Sequence, residues 1–487
     1  MKSQKKLSLV SLAIAASLAL PVSAAGLSLP EVTAAEKSAF ASNTNATVTQ
    51  TGMEQDATVS QTGTRHISTV TQIGDLQFAE VTQQGDWQES YISSEGNGNS
   101  VITNQVDDWH ISNVGIIGDQ NQVTIQQADF YNTSDVSLTG NSNTADVIQD
   151  GAQNESIIEV IGNENAAEVT QYGAINLAVF AVEGNSNSAT IMQDGVNNQA
   201  GIVSDSGSLN AGDGNELFVN QLGDNNFGAA LGVFGDNNTF DFSQTGDDNT
   251  AVVASLSGSL NDITIDQTGI NNGATIEFSF GDDNDVTISQ DGFGNQVGGA
   301  NIAILNGSLN DIEVVQTGDA NLTEFIVYGD ENVISVDQSG ADNYTAFVAD
   351  GFYNEVTITS SGELNFAYAE TVGDNNTVDM SQTGNDNEAV ISNVGSNQTV
   401  DISQEGDFNL TDIVAFGDDH SITVSQLGDG NWVGGDDGYF AIDGTMNTLN
   451  VTQIGNDNTV TGMQIGTNDI ATVVQTGNFN SAAIYQN

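Results

Sequence analysis

The only imidazoles in this 487-residue chain are His66, His110 and His420, there is no cysteine, and no set of Ser, His and Asp recurs. Nucleophilic catalysis has nothing to build on, and the chain reads as a non-enzyme. Each histidine opens a short alternating segment where asparagine stands elsewhere; His420, for example, precedes Ile422, Val424 and Gln426. Carboxylates are plentiful, 65 Asp and Glu against 5 Lys and Arg, but they recur in turn after turn as "GDDN", "GDGN" and "GDDG". Such oxygens suit a hard cation. The calcium β-roll, however, runs on nine residues with Gly-Gly-x-Gly-x-Asp, and the spacing here is about eleven. The expectation is no cofactor and no metal site, only diffuse screening by calcium or other cations. What remains is the chemistry of the primary amide, with two donors and an acceptor on each Asn and Gln.

Those amides are regularly spaced. Gln50, Gln61, Gln72 and Gln83 lie 11 apart, and Gln105, Gln127, Gln149, Gln171 and Gln193 lie 22 apart. Gln221, Gln244, Gln267 and Gln290 follow at 23, then Gln316 and Gln338; Ser360 fills the next slot, and Gln382, Gln404 and Gln426 continue at 22. Gln453, Gln464, Gln475 and Gln486 close the series at 11. Two residues after many of these glutamines stands a glycine, as at Gly246, Gly269, Gly318, Gly340, Gly384 and Gly406. Asparagine opens the segments, as at Asn261, Asn284, Asn310, Asn332, Asn354, Asn376 and Asn387. Midway between the 22-spaced glutamines a similar half-repeat keeps the glycine but loses the Gln, as in Ile116 to Gly118 or Val327 to Gly329.

Between opener and Gln the period is two, the mark of a β-strand with one dry face. Asn376, Val378, Met380 and Gln382 alternate with Thr377, Asp379 and Ser381. "TGDDN", "YGDEN" and "VGDNN" separate the segments with residues that tolerate positive φ. Both prolines, Pro21 and Pro30, precede the repeats, and strand interiors reject proline. Units of eleven residues bury little alone, but stacked units bury a continuous core. The spacing therefore predicts an all-β fold: a single β-solenoid over residues 44–487, with about 19–20 two-stranded levels of 22–23 residues. At about 4.8 Å per level it would be a rod roughly 95 Å long, with Asn and Gln hydrogen-bonded to their own kind along the stack. Extra residues near 208–219, 293–303 and 429–444 read as insertions at the solenoid edge, and the slots near Asp205, Ser279 and Ile442 are ambiguous.

Composition narrows the partners. Lys2, Lys5, Lys6, Lys37 and Arg65 are the only basic residues, which argues against nucleic acid. A formal charge of −60 keeps separate chains apart and favours cations or basic surfaces. "MKSQKKLSLVSLAIAASLALPVSAAG" has a basic start, a short apolar run and small residues at its end, and reads as a signal peptide over residues 1–24. No later segment is apolar for long enough to span a membrane as a helix.

With its paired halves, the Gln-x-Gly-x-x-Asn-x-Ala pattern resembles the curlin repeat of curli subunits, bacterial functional amyloids of the biofilm matrix. "SLNDITIDQTGINNGA" from Ser259 carries Gln267, Gly269, Asn272 and Ala274; "TVDMSQTGNDNEA" carries Gln382, Gly384, Asn387 and Ala389. This chain departs from the family pattern in having several times as many repeats, and in replacing the second-half Gln mostly with Val, Ile, Ala or Asn393. The resemblance implies a secreted structural subunit of cell-surface fibres for adhesion and biofilm matrix. It also implies export through a curli-type outer-membrane pore, addressed by residues 25–43, and assembly on a nucleator subunit, with host or matrix surfaces as further partners. The closing "NFNSAAIYQN" completes a strand with no polar cap, so the expected mechanism is edge templating. The alternative is a monomeric acidic β-solenoid adhesin or a calcium-binding surface protein.

Overall fold

The computed structural model describes residues 44–203, 210–278, 280–298, 303–434 and 438–487. The signal-peptide and addressing segments, 1–24 and 25–43, lie outside them, as do the ambiguous slots at Asp205 and Ser279.

Each half-repeat forms one strand because β-branched and small residues alternate with polar ones between turns of Gly, Asp and Asn. Thr377–Thr383 alternates half-buried or exposed residues with buried ones. Successive strands do not pair with each other. Each instead lies parallel to the strand one full repeat later, as Thr377 to Thr399 and Gln382 to Gln404. The chain thereby winds into a β-solenoid of two parallel sheets, with a Gln-bearing strand on one side of each turn and its return strand on the other. The glutamine sheet holds nineteen strands from Asp56–Thr64 to Ile470–Thr476. The second sheet runs from Asn45–Thr51 to Ser481–Gln486 and holds twenty-three strands in twenty slots, three slots being split in two.

The core is one apolar column between the sheets. Val378 and Met380 of the glutamine sheet and Ala389 and Ile391 of the second are all fully buried. The bulkiest buried side chains, Phe180, Phe240, Phe242, Phe325, Phe347 and Phe440, add volume where a level allows it.

All irregularity falls on the second sheet. The split slots are Gln199–Val203 with Asn210–Ala211, Gln296–Val297 with Ala303–Asn306, and Trp432–Gly434 with Phe440–Thr445. The second and third coincide with expected insertions. The first needs correction: the added residues precede Asn210, which pairs with Val182, and strand Glu216–Leu222, which overlaps the expected 208–219 insertion at residues 216–219, is an ordinary strand of the glutamine sheet. The pattern concealed this because "NA" continues the strand only through its register with Val182 and Glu183. Ile442, the third ambiguous slot, sits in register between Ala415 and Gln464.

Candidate functional site: amide ladders along the rod

Most turns close on a glycine at positive φ, and Asp107 and Asp129 take that place at two levels. Gly246, Gly269, Gly318, Gly340, Gly384 and Gly406 all have φ between +107° and +119°. A Cβ on Gly384 would collide with the carbonyl of Gly406 one level on. The corner then takes a second left-handed residue, Asp386 at φ +55°, before Asn387 starts the return strand.

Those turns aim the strand-end amides inward. Along the glutamine sheet each Nε2 donates to the Oε1 of the next level: Gln61 to Gln83, then through Gln105, Gln127, Gln149 and Gln171 to Gln193, at 2.8–2.9 Å. The chain of bonds continues through Gln221, Gln244, Gln267, Gln290 and Gln316 to Gln338, all at 2.8–2.9 Å. It crosses intervals of 28 and 26 residues without a change of length, because the extra residues lie on the other sheet. Ser360 interrupts it, its hydroxyl donating to Gln382 Oε1 at 3.2 Å. The ladder resumes from Gln382 through Gln404, Gln426 and Gln453 to Gln475 at 2.9–3.0 Å. Each rung also donates to a backbone carbonyl; Gln382 Nε2 reaches Phe366 O at 3.0 Å. The amides are buried, so each bond forms away from competing water.

Gln464 and Gln486 stand apart from that line. They belong to the second sheet and pair with each other at 2.7 Å. At the opposite end Gln50 and Gln72 form the matching pair at 2.8 Å. Between these pairs the same column is occupied by residues such as Ser94, Ile116, Leu138 and Val160.

Asparagine does different work. Asn261, Asn284, Asn310, Asn332, Asn354 and Asn376 form one column, in which each Oδ1 accepts the backbone N–H of the next at 3.0–3.1 Å. Asn387 belongs to a second column at the opposite corner, receiving Asn409 and donating to Asn365 Oδ1. Most of these Nδ2 groups also cap a glycine carbonyl of the next level, as Asn376 to Gly395 at 2.9 Å, whereas Asn354 Nδ2 bonds Asn332 Oδ1 at 3.1 Å. His66, His110 and His420 are buried in these columns, each ring nitrogen facing a backbone carbonyl four residues back. Burial lowers the pKa of His110, which favours the neutral ring as a hydrogen-bonding rung.

Two features lay outside the sequence reading. Thr323, Thr345 and Thr411 reach across the core and bond the glutamine ladder, Thr323 Oγ1 donating to Gln338 Oε1 at 2.9 Å. Their signal was a Thr seven residues after Gln, where Ala367 or Ala389 stands in other repeats. At the corner after the glutamine sheet, Arg65, Trp87, Trp109 and Tyr131 form a column at positive φ. The Arg65 guanidinium lies 4.4 Å above Trp87, which stacks on Trp109 at 4.5 Å. Among the described residues no group of three or more His, Cys, Asp or Glu is close enough to hold a metal ion.

Stacked parallel levels joined by buried amide ladders define a structural repeat solenoid. The family is set by eight matches to the curlin associated repeat, at residues 140–173, 235–269, 281–318, 307–340, 329–362, 354–384, 373–406 and 395–428. The chain belongs to the curlin-repeat family. No curated protein matches it.

Proposed function

We propose that the chain is a structural subunit of secreted curli-like amyloid fibres that serve adhesion and the biofilm matrix. The observation that carries this reading is the open parallel ladder. Each described end of the rod presents a strand bonded on one side only, and its inward amides repeat the chemistry of the level beneath. Such an edge is a template for another copy of the same strand, and growth by edge templating repeats between chains the pairing each chain makes within itself. The curlin-repeat family is structural rather than enzymatic, which fits a buried, hydrogen-bonded amide column offering no reactive group.

Within this reading residues 1–24 direct export and residues 25–43 address the chain to a curli-type outer-membrane pore. A nucleator subunit starts the fibre outside the cell. Among the described residues no helix is long and apolar enough to cross a membrane.

The test is to incubate the purified mature chain with and without calcium. Fibres giving a cross-β reflection of about 4.8 Å along the fibre axis are expected in both conditions. A chain that stays monomeric in both would overturn the reading in favour of a discrete adhesin.

A further inference from the structure

The first and last described strands, Asn45–Thr51 and Ser481–Gln486, both lie in the second sheet. The described rod therefore has an odd number of half-repeats, twenty slots against nineteen, and its two ends are stepped. At one end the exposed edges are Ile470–Thr476 and, half a level beyond it, Ser481–Gln486. At the other they are Asn45–Thr51 and, half a level inward, Asp56–Thr64. Setting like sheet on like sheet would leave one strand's width empty above Ile470–Thr476, with its backbone groups unpaired.

We propose that successive copies of this chain stack end to end with a half-turn about the rod axis. Asn45–Thr51 of one copy then lies on Ile470–Thr476 of the copy before it, and Asp56–Thr64 lies on Ser481–Gln486. This deepens the fibre reading and rests on it. A half-turn exchanges the sheets while keeping strand direction, because the two halves of each level run oppositely. The steps then interlock with no strand missing.

The half-turn demands that the two sheets carry the same chemistry at the joint, though they differ elsewhere. That is where the second sheet regains glutamine. Gln50 and Gln72 match Gln61 and Gln83 at one end, and Gln464 and Gln486 match Gln453 and Gln475 at the other. In the rotated stack Gln475 meets Gln50 and Gln486 meets Gln61, giving each column at least two glutamines on either side of the joint. The bond direction also agrees. Within the chain the lower-numbered Nε2 donates to the higher-numbered Oε1, so the end at Gln475 and Gln486 offers donors and the end at Gln50 and Gln61 offers acceptors. The fibre would then repeat every two chains, about 190 Å at roughly 4.8 Å per level.

Cysteine cross-linking separates the arrangements, since the described chain has no cysteine of its own. Thr49, Val474 and Tyr485 all point outward and are exposed. Stacked in-register residues stand about 4.8 Å apart, within disulfide reach. The half-turn puts Val474 beside Thr49 of the next copy, whereas like-on-like stacking sets Asn45–Thr51 on Ser481–Gln486 and puts Tyr485 beside Thr49. Oxidised fibres of the full mature chain carrying Thr49→Cys with Val474→Cys are expected to give a covalent ladder on denaturing gels. Fibres carrying Thr49→Cys with Tyr485→Cys are expected to give monomer. The reverse result overturns the half-turn and leaves the fibre reading standing, and so do cross-β fibres that neither pair links. Absence of fibres from the unsubstituted chain overturns both.

Discussion

Asn393 shows how much a single inward position can cost. Both polar atoms of its side chain are buried without a hydrogen-bond partner, and the hydroxyl of Thr371, its neighbour one level away, is in the same condition. Each buried, unpaired polar group costs about 1–3 kcal/mol. The same column holds Val160, Val182 and Val327 at other levels, so the cavity already accepts valine. Asn393→Val should raise stability by roughly 1–3 kcal/mol, read as a higher guanidinium midpoint with little change in slope. A lower midpoint would mean that Asn393 finds a partner in solution. From the sequence Asn393 is one of the residues that replace the second-half Gln; that it is not a rung follows only from its neighbours, Thr371 and Ala415, which offer no amide.

At the scale of the element, the glutamine ladder was legible because a Gln stands at the strand end on both sides of every change of interval. Gln-x-Gly marks the strand end, and period two marks the buried face. The division of labour between amides was not legible. Asn and Gln look alike as inward polar residues and both bond along the stack, yet Asn Oδ1 also takes the next backbone N–H and its Nδ2 reaches a glycine carbonyl at the corner. That difference comes from the turn geometry, which spacing alone does not carry. The break at Ser360 tests the ladder as a cooperative element. Threonines seven residues after Gln316, Gln338 and Gln404 bond those glutamines, so Ala367 faces the Ser360 slot as Ala389 faces Gln382. The room that admits glutamine at residue 382 therefore exists at 360. Ser360→Gln should join the two ladder segments and add about 1 kcal/mol. It should also increase hydrogen-exchange protection in Val333–Ala341 and Thr377–Thr383 on either side. Loss of protection there would show that the serine fits a narrower gap.

For the whole molecule, in-register stacking has an electrostatic consequence, because outward carboxylates fall near their own kind. Asp379 is pushed up by burial and then by Asp401 and Glu355, and Asp146 by burial and then by Glu168. Asp241 and Asp285 follow the same pattern, and Asp412, half-buried beside Glu388, is pushed up to about 6. A carboxyl whose folded pKa is raised binds its proton more tightly folded than unfolded. Its stabilising effect is fully present below the unfolded value of about 4 and is lost as pH rises through the folded value. For Asp412 that window ends near pH 6. The rod should therefore be more stable, and should elongate faster from seeds, at pH 4.5 than at pH 7, with most of the change between about pH 4 and 6. Joining copies at pH 7 brings together chains of formal charge −60. Salt that shortens the screening length to about 8 Å should then recover part of the lost rate. Seeded growth followed by thioflavin fluorescence across this pH range, at low and physiological salt, checks both effects. Asp412→Asn should flatten the acid side of the stability profile without changing the salt response. A growth rate that climbs with pH at low salt would show that carboxylate stacking does not govern assembly.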